Sequence, residues 1–279
     1  MTVGDPTGRT PLVSVVVPTK NTARTLRRCL ESIRDQTYPA LEVIVVDNFS
    51  DDDTFDIARE LADVAFQAGP ERSAQRNLGI ERSTGEYVLW IDADMVLTAD
   101  VVRDAVQQAT AVQAVAVFVP EESIGDGFWT RCRALERRCY VGEELIEAPR
   151  LVRREFFDRS GGFVADVAGQ EDAELRMRLL NERVTLAHAS AVILHDEGRL
   201  TFRSVLSKRY YYGQSLPAYH RAQPGAIRRQ GVATARAYLR HMPALVRDPG
   251  HAAGLLVLRT AEAVAYGAGA WRMRGREQG

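Results

Sequence analysis

Residues 12–21 read LVSVVVPTKN and residues 42–54 read EVIVVDNFSDDDT. Each holds a short apolar, mostly β-branched run, broken only by Ser14 in the first and preceded by Glu42 in the second, and ends abruptly in polar residues. A run of that length without alternation is the mark of a strand covered on both faces. Between the two runs, Leu26, Cys29, Leu30 and Ile33 recur at i, i+3, i+4 and i+7. That spacing predicts a helix with one apolar face, opened by Asn21 as a cap and stopped at Tyr38-Pro39. Two buried strands joined by a helix form the repeating unit of a parallel sheet.

The same alternation continues outward. Asp51–Leu61 reads as a helix with acids at its start, which suits the helix dipole. Val64–Phe66 is a short strand, Ser73–Arg82 a helix ended by Thr84-Gly85, and Glu86–Ile91 a strand followed by Asp92-Ala93-Asp94. Ala99–Gln108 is helical and Ala114–Val119 extended. Five strands alternating with four helices imply an α/β fold with an open, mostly parallel sheet and helices on both faces. After Pro120 the order is less regular. Helices are expected over Gly127–Val141 and Gln170–Arg183, with strands at Arg150–Arg153 and at Ala191–Leu194, the latter running into His195. From Thr201 the pattern is helical, broken near Pro217, Pro224, Pro243 and Pro249. No internal repeat at periods of about 20–50 residues is present. The expected division is a domain over 1–215 and a helical, basic C-terminal extension over 216–279.

The chain has 279 residues, 46% hydrophobic and 26% charged, which excludes a disordered or fibrous protein. Cys29, Cys132 and Cys139 cannot form a disulfide framework, and with no His or Cys to complete a zinc site the last two are expected in the core. No charged-then-apolar leader precedes Leu12, so no signal peptide is expected. No run of about 18 uncharged apolar residues exists for a membrane span. The charge is lopsided. From Arg199 onward there are 14 Lys+Arg against 3 Asp+Glu, a net of +11, so residues 1–198 carry −12 of the total −1. The acidic part suits a metal and the basic part an anionic partner. A solvated helical surface accounts for the basic part equally well.

Ligands in open α/β sheets bind beyond the carboxyl ends of the strands. There the sequence places Pro18-Thr19-Lys20-Asn21, Asp47-Asn48-Phe49-Ser50 and Asp92-Ala93-Asp94. Neither G-x-G-x-x-G nor G-x-x-x-x-G-K-[ST] occurs, which argues against a dehydrogenase and a P-loop NTPase. In an extended segment Asp92 and Asp94 would point the same way, and two carboxylates so placed repel unless a cation or proton lies between them. Oxygen ligands select a hard ion, Mg2+ or Mn2+. D-x-D alone is equally a polar turn. Behind an apolar strand in this order of elements, the metal reading is preferred.

VSVVVPTKN, EVIVVDNFSDDDT, SAQRNLGIERSTGEYVLWIDADM and GGF…QEDAELRMRLL, in that order over roughly residues 12–215, resemble the family-2 glycosyltransferases of the GT-A fold. Lys20 and Asn48-Phe49-Ser50 depart from the family's more usual residues. The resemblance implies that Pro18, Thr19 and Asn21 line a nucleotide pocket, that Asp47 hydrogen-bonds the base or ribose, and that Arg76 and Asn77 contact the nucleotide and its phosphates. It places Asp92 and Asp94 in the metal motif, with Asp94 the direct ligand and His195 near metal and diphosphate. Glu171 and Gly162 fall near the sugar or acceptor. Asp172 falls where the family has its catalytic base, acting in line opposite the leaving diphosphate with inversion of the anomeric centre. The implied partners are a nucleotide-sugar donor, with uridine the expected base, and a glycan or lipid-linked acceptor. The implied setting is cytoplasmic or at the inner face of the membrane, with no nucleic acid involved.

Each role has a plainer rival. Asp172 could cap its helix, His195 could be a hydrogen-bonded strand-end histidine, and Arg76 an exposed helical arginine. Residues 207–213, SKRYYYG, could meet the diphosphate or acceptor, or pack their helix. Ala252–Trp271 is apolar but interrupted by Arg259 and Glu262 and followed by Arg272, Arg274 and Arg276. A helix lying on an anionic membrane and an ordinary packing or homodimer helix both remain open. A sugar-nucleotidyltransferase is the alternative enzyme, although it would show a Gly-rich loop after the first strand. A non-catalytic nucleotide-sugar-binding module of the same fold is the other alternative.

Overall fold

The computed structural model describes residues 9–277. In chain order the elements are β1 (Val13–Thr19), α1 (Ala23–Arg34), β2 (Leu41–Asp47), α2 (Thr54–Leu61), β3 (Val64–Gln67), α3 (Arg72–Glu81), β4 (Tyr87–Trp90), β5 (Met95–Leu97) and α4 (Val101–Ala111). There follow β6 (Ala116–Phe118), β7 (Glu121–Gly125), α5 (Phe128–Tyr140), β8 (Pro149–Arg153), α6 (Arg154–Ser160), α7 (Glu171–Glu182), β9 (Leu186–His188) and β10 (Ile193–Gly198). The remainder is helical: α8 (Phe202–Gly213), α9 (Leu216–Ala222), α10 (Ala226–Arg240), α11 (Met242–Arg247) and α12 (Pro249–Glu277). The side chains of Arg274 and Arg276 lie outside the described residues.

The chain divides into two compact units. Among the described residues the first comprises 9–120, 148–165 and 179–195, and the second 121–147, 166–178 and 196–277. The first is built on a seven-stranded sheet in the order β3-β2-β1-β4-β8-β6-β9. β1 lies in its middle, parallel to both β2 (Val13 opposite Leu41 through Thr19 opposite Asp47) and β4. All seven of its residues are buried, which is why its sequence shows no alternation. Alternate residues still serve different faces. Val13, Val15 and Val17 join the buried faces of α1 and α4 in the main core. Val16 and Val46 point the other way, toward α3, where a Cβ on Gly79 would sit 2.4 Å from Val16 Cγ1. Gly79 is what lets that helix approach the sheet.

The mostly parallel sheet and flanking helices agree with expectation, with one exception. β8 runs antiparallel to both neighbours, β4 and β6. Three short strands add to the expected set: β7, β5, which pairs antiparallel with Ile193–His195 of β10, and β9, which lies parallel to β6.

In the second unit α12 packs along α5 and α8. The prolines at 217 and 243 stand at the starts of α9 and α11, where the missing N–H costs nothing. Cys29, Cys132 and Cys139 are free and buried.

Candidate functional site

Three strands of the first unit deliver polar residues to the carboxyl edge of the sheet. Where β1 and β2 end side by side, Thr19 Oγ1 donates to Asp47 Oδ1 (3.0 Å). Asp47 also accepts from the Ser50 backbone N–H (2.9 Å), the Ser50 hydroxyl and Gln67 Nε2 (3.0 Å). It is fully buried, and these neutral donors replace water around its carboxylate. Asn21 ties the two strand ends together: its N–H donates to Ser50 Oγ and its Oδ1 accepts from the Asp51 N–H. Gln75 Nε2 closes the floor with bonds to the carbonyls of Thr19 (2.9 Å) and Val46 (2.6 Å). At the rim Phe49 is held at φ +49°, a left-handed conformation that bulky residues rarely adopt, and the residue is 59% exposed.

Beyond β4 the chain does not stay extended. The Met95 N–H donates to the Asp92 carbonyl (2.9 Å), so residues 92–95 form a turn. The two carboxylates therefore find separate partners. Asp92 Oδ1 accepts from Arg76 Nη2 at 2.7 Å, and Arg72 Nη1 stands 3.8 Å from Oδ2. Burial alone would raise the Asp92 carboxyl, but the charges of Arg76, Arg72, Arg150 and His195 outweigh it and hold the group well below the usual carboxylate range. Asp94 Oδ2 instead lies 3.4 Å from His195 Nε2, the histidine being carried by β10 beside β5.

Arg76 is wholly buried and sits over the Phe163 ring at 5.3 Å, so it is not an exposed helical arginine. Asn77, its neighbour, uses both ends of its amide on one backbone. Nδ2 donates to the Phe163 carbonyl (2.8 Å) and Oδ1 accepts the Phe163 N–H (2.7 Å). Gly162 adopts φ +74°, and a Cβ there would come within 2.6 Å of Asn77 Oδ1. Pro18 is buried at the end of β1. The first unit thus gathers Thr19 with Asp47, Arg76 with Asp92, Asn77 with Gly162-Phe163, and Asp94 with His195.

Glu171 and Asp172 belong to the second unit, in the first turn of α7, where three acids favour the helix N-terminus. Glu171 is buried and Asp172 half-buried. One turn on, Arg176 is buried and donates to the carbonyls of Ile146 (2.7 Å) and Glu147 (3.0 Å). Burial lowers its guanidinium to about 10, partly offset by Tyr219, Asp172 and Glu147. In α8, Arg209 is bonded to Glu262 and Tyr266, and Tyr212 lies against Gly169, so these members of the SKRYYYG run serve packing.

Two cations join those singled out in the sequence. Arg72 is four residues before Arg76, an i, i+4 spacing that places both on one face of α3 and was there to be read. Arg150 is the second residue of β8, and only the insertion of that strand beside β4 brings it near Asp92, so no local signal marks it. With a carboxylate oxygen and an imidazole nitrogen so close, the Asp94–His195 pair fits a divalent ion that accepts O and N donors. Among the described residues no three His, Cys, Asp or Glu gather to hold an ion unaided. Water and a ligand's oxygens would have to complete the shell.

The family model described as glycosyl transferase family 2 matches residues 14–164. Among curated relatives, the Escherichia coli protein described as uncharacterized glycosyltransferase YibD is 39% identical over 88 residues, 29% of this chain and 26% of that one. The Bacillus subtilis uncharacterized glycosyltransferase EpsJ is 26% identical over 226 residues, 69% of this chain and 61% of that one. The match thus spans less than two thirds of either relative. Among solved structures, the mannosyltransferase PcManGT from Pyrobaculum calidifontis in complex with GDP-Man and Mn2+ superposes with a TM-score of 0.65 at 24% identity, covering 96% of this chain and 88% of that one. S. aureus TarS in complex with UDP-GlcNAc gives 0.56 at 16% identity, over 95% and 92%. At those identities the likeness shows the GT-A-like fold.

Proposed function

Since the chain belongs to glycosyl transferase family 2, we propose that it moves a sugar from a nucleoside-diphosphate donor to an acceptor with inversion of the anomeric centre. The donor in this reading is a UDP-sugar, and the acceptor a hydroxyl or phosphate of a glycan or lipid-linked carrier. The setting in this reading is cytoplasmic or at the inner face of the membrane. The observation that carries the reading is the pairing of Asp94 with His195 next to a turn whose other carboxylate is ringed by Arg72, Arg76 and Arg150. A diphosphate needs positive charge close by, and a guanidinium's planar fork reaches two of its oxygens.

In this proposal Asp94 and His195 would hold Mg2+ or Mn2+. When bound, such an ion neutralises diphosphate charge and acts as a Lewis acid. Asp92 fixes Arg76 in position, and the arginine group favours departure of the nucleoside diphosphate. Pro18, Thr19, Asn21 and Asp47 frame the nucleoside. Asn77 contacts the nucleotide beside Arg76 and holds the Phe163 backbone next to Gly162, which lies near the sugar or acceptor together with Glu171. Asp172 accepts the proton of the attacking acceptor oxygen, since an alcohol is a poor nucleophile until a carboxylate takes its proton. Domain bounds of 1–215 for the transferase and 216–279 for the basic helical extension are part of the same proposal.

Titrating UDP, GDP and dTDP with and without Mn2+ tests donor and metal together. Metal-dependent UDP binding that is lost in Asp94→Asn is expected. Asp172→Asn should still bind UDP while losing about 10²–10⁴-fold in transfer rate. An Asp172→Asn protein with the full transfer rate removes that residue from the base role.

A further inference from the structure

Helix α12 turns Arg259 and Glu262 inward beside Leu255 and Leu258, and leaves a second set of apolar side chains facing outward. Arg259 and Glu262 are bonded into a buried cluster with Arg133, Glu136 and Arg209. On the other side Leu256 is 71% exposed, Val264 70% and Trp271 79%. Val257, Val264 and Trp271 are seven residues apart, two helical turns each, so they form a stripe. Between Ala253 and Trp271 no exposed residue of the helix is charged. Even Thr260 satisfies its hydroxyl locally, on the Leu256 carbonyl (2.9 Å). Water-soluble helices have the opposite arrangement, so this face implies a partner.

The surrounding charge identifies that partner. Arg228, Arg229 and Arg247 are exposed on α10 and α11, and Arg272 follows Trp271, whereas Arg240 is paired with the buried Glu143 at 2.7 Å. Between Arg199 and Met273 the only acids are Asp248 and Glu262. Asp248 accepts from His251 Nδ1 (2.8 Å) and Glu262 is buried. Two copies meeting through this face would bring like charges together. An anionic bilayer offers both an apolar layer for the stripe and phosphates for the arginines. We infer that the exposed face of α12 docks on the surface of an anionic phospholipid membrane, with Trp271 at headgroup depth and Arg272 beside it. No helix of the described residues is long and apolar enough to cross a membrane, so the helix lies along the surface. The inference gives residues to the membrane-side setting proposed above, yet nothing in it involves nucleotide or metal.

The test is co-sedimentation of the full chain with vesicles of phosphatidylcholine alone or with about 30% phosphatidylglycerol. Binding to the anionic vesicles should exceed that to neutral ones by at least about tenfold and fall steeply with salt. Val264→Asp, at an exposed position, should lose at least about tenfold in vesicle binding. Its thermal unfolding and UDP binding should stay as in the parent. Trp271 fluorescence should shift to the blue on anionic vesicles, and the shift should vanish in Trp271→Phe. A chain that stays in the supernatant with anionic vesicles overturns the inference. So does a stable dimer that Val264→Asp dissociates. Loss of vesicle binding with intact UDP binding would sink the membrane face alone, and loss of UDP binding with intact vesicle binding the donor reading alone.

Discussion

Glu262→Gln tests what holds the helical unit together. In the parent, Glu262 receives Arg133 Nη2, Arg209 Nε (2.8 Å) and Arg259 Nη1 (2.8 Å). Glu136 receives Arg133 Nη1 and Arg259 Nε, and its Oε1 also accepts from the hydroxyls of Tyr140 and Tyr238. Three guanidiniums thus face two carboxylates, both nearly inaccessible to water. The substitution keeps the side-chain shape and removes one negative charge, leaving three cations around Glu136. Removing one partner from a buried ion pair costs about 3–5 kcal/mol, because the remaining charge stays desolvated. At 279 residues that corresponds to a fall of roughly 10 °C in unfolding temperature. Adding Arg209→Gln restores the charge balance, so the double variant should be no less stable than Glu262→Gln alone, a coupling of about 1–3 kcal/mol. Urea unfolding of the four proteins in the cycle measures this. A single-variant loss under about 1 kcal/mol, with strictly additive effects, would refute the reasoning.

Two further outcomes follow from the same structure. Burial alone would raise Glu136, but Arg259 and Arg133 draw it down to about 2 from an ordinary 4.5. Its folded value is the depressed one, so its stabilisation is complete above about pH 5 and is lost as pH falls toward 2. The loss is on the order of 3 kcal/mol, and urea midpoints at pH 6, 4 and 3 should show a flatter dependence in Glu136→Gln. Phe49→Gly should raise the urea midpoint: relief of a left-handed φ is worth about 1–2 kcal/mol, offset by about 0.5–1 kcal/mol of added unfolded-state freedom. A lower midpoint would mean that the side chain contributes more to the fold than the residue's exposure indicates.

The parallel half of the fold was legible because β1 and β2 are buried on both faces, and burial on both faces leaves an apolar run without alternation. β5 and β9 left no such trace. Each has three residues, and each exists because a distant segment, Ile193–His195 or Ala116–Phe118, offers it a ladder. The reversed direction of β8 was hidden for the same reason, and with it the approach of Arg150 to Asp92. Asp92, Asp94 and Arg76 could be read as a constellation, but their division could not. A turn at 92–95 sends one carboxylate to the arginines and the other to His195. The bonds of the Asn77 amide to the Phe163 backbone could not be read either, since 86 residues separate the two in the chain.

Arg259 and Glu262 carry the broadest consequence. In sequence they look like polar interruptions in an apolar helix, and ordinary patterning would place them in water. Facing solvent they would need no partners, and Leu256, Val257 and Val264 could be buried. The observed rotation exposes these side chains, and at about 25 cal/mol per Å2 of apolar surface that is unfavourable in water. The rotation persists because Glu136 and Arg133, buried on α5, and Arg209, half-buried on α8, need Arg259 and Glu262 to complete them. Turning α12 over would leave those charges buried without their partners, at several kcal/mol each. The ion cluster therefore acts as an orienting device: it fixes which side of α12 faces outward, and so an apolar surface stands presented before anything covers it.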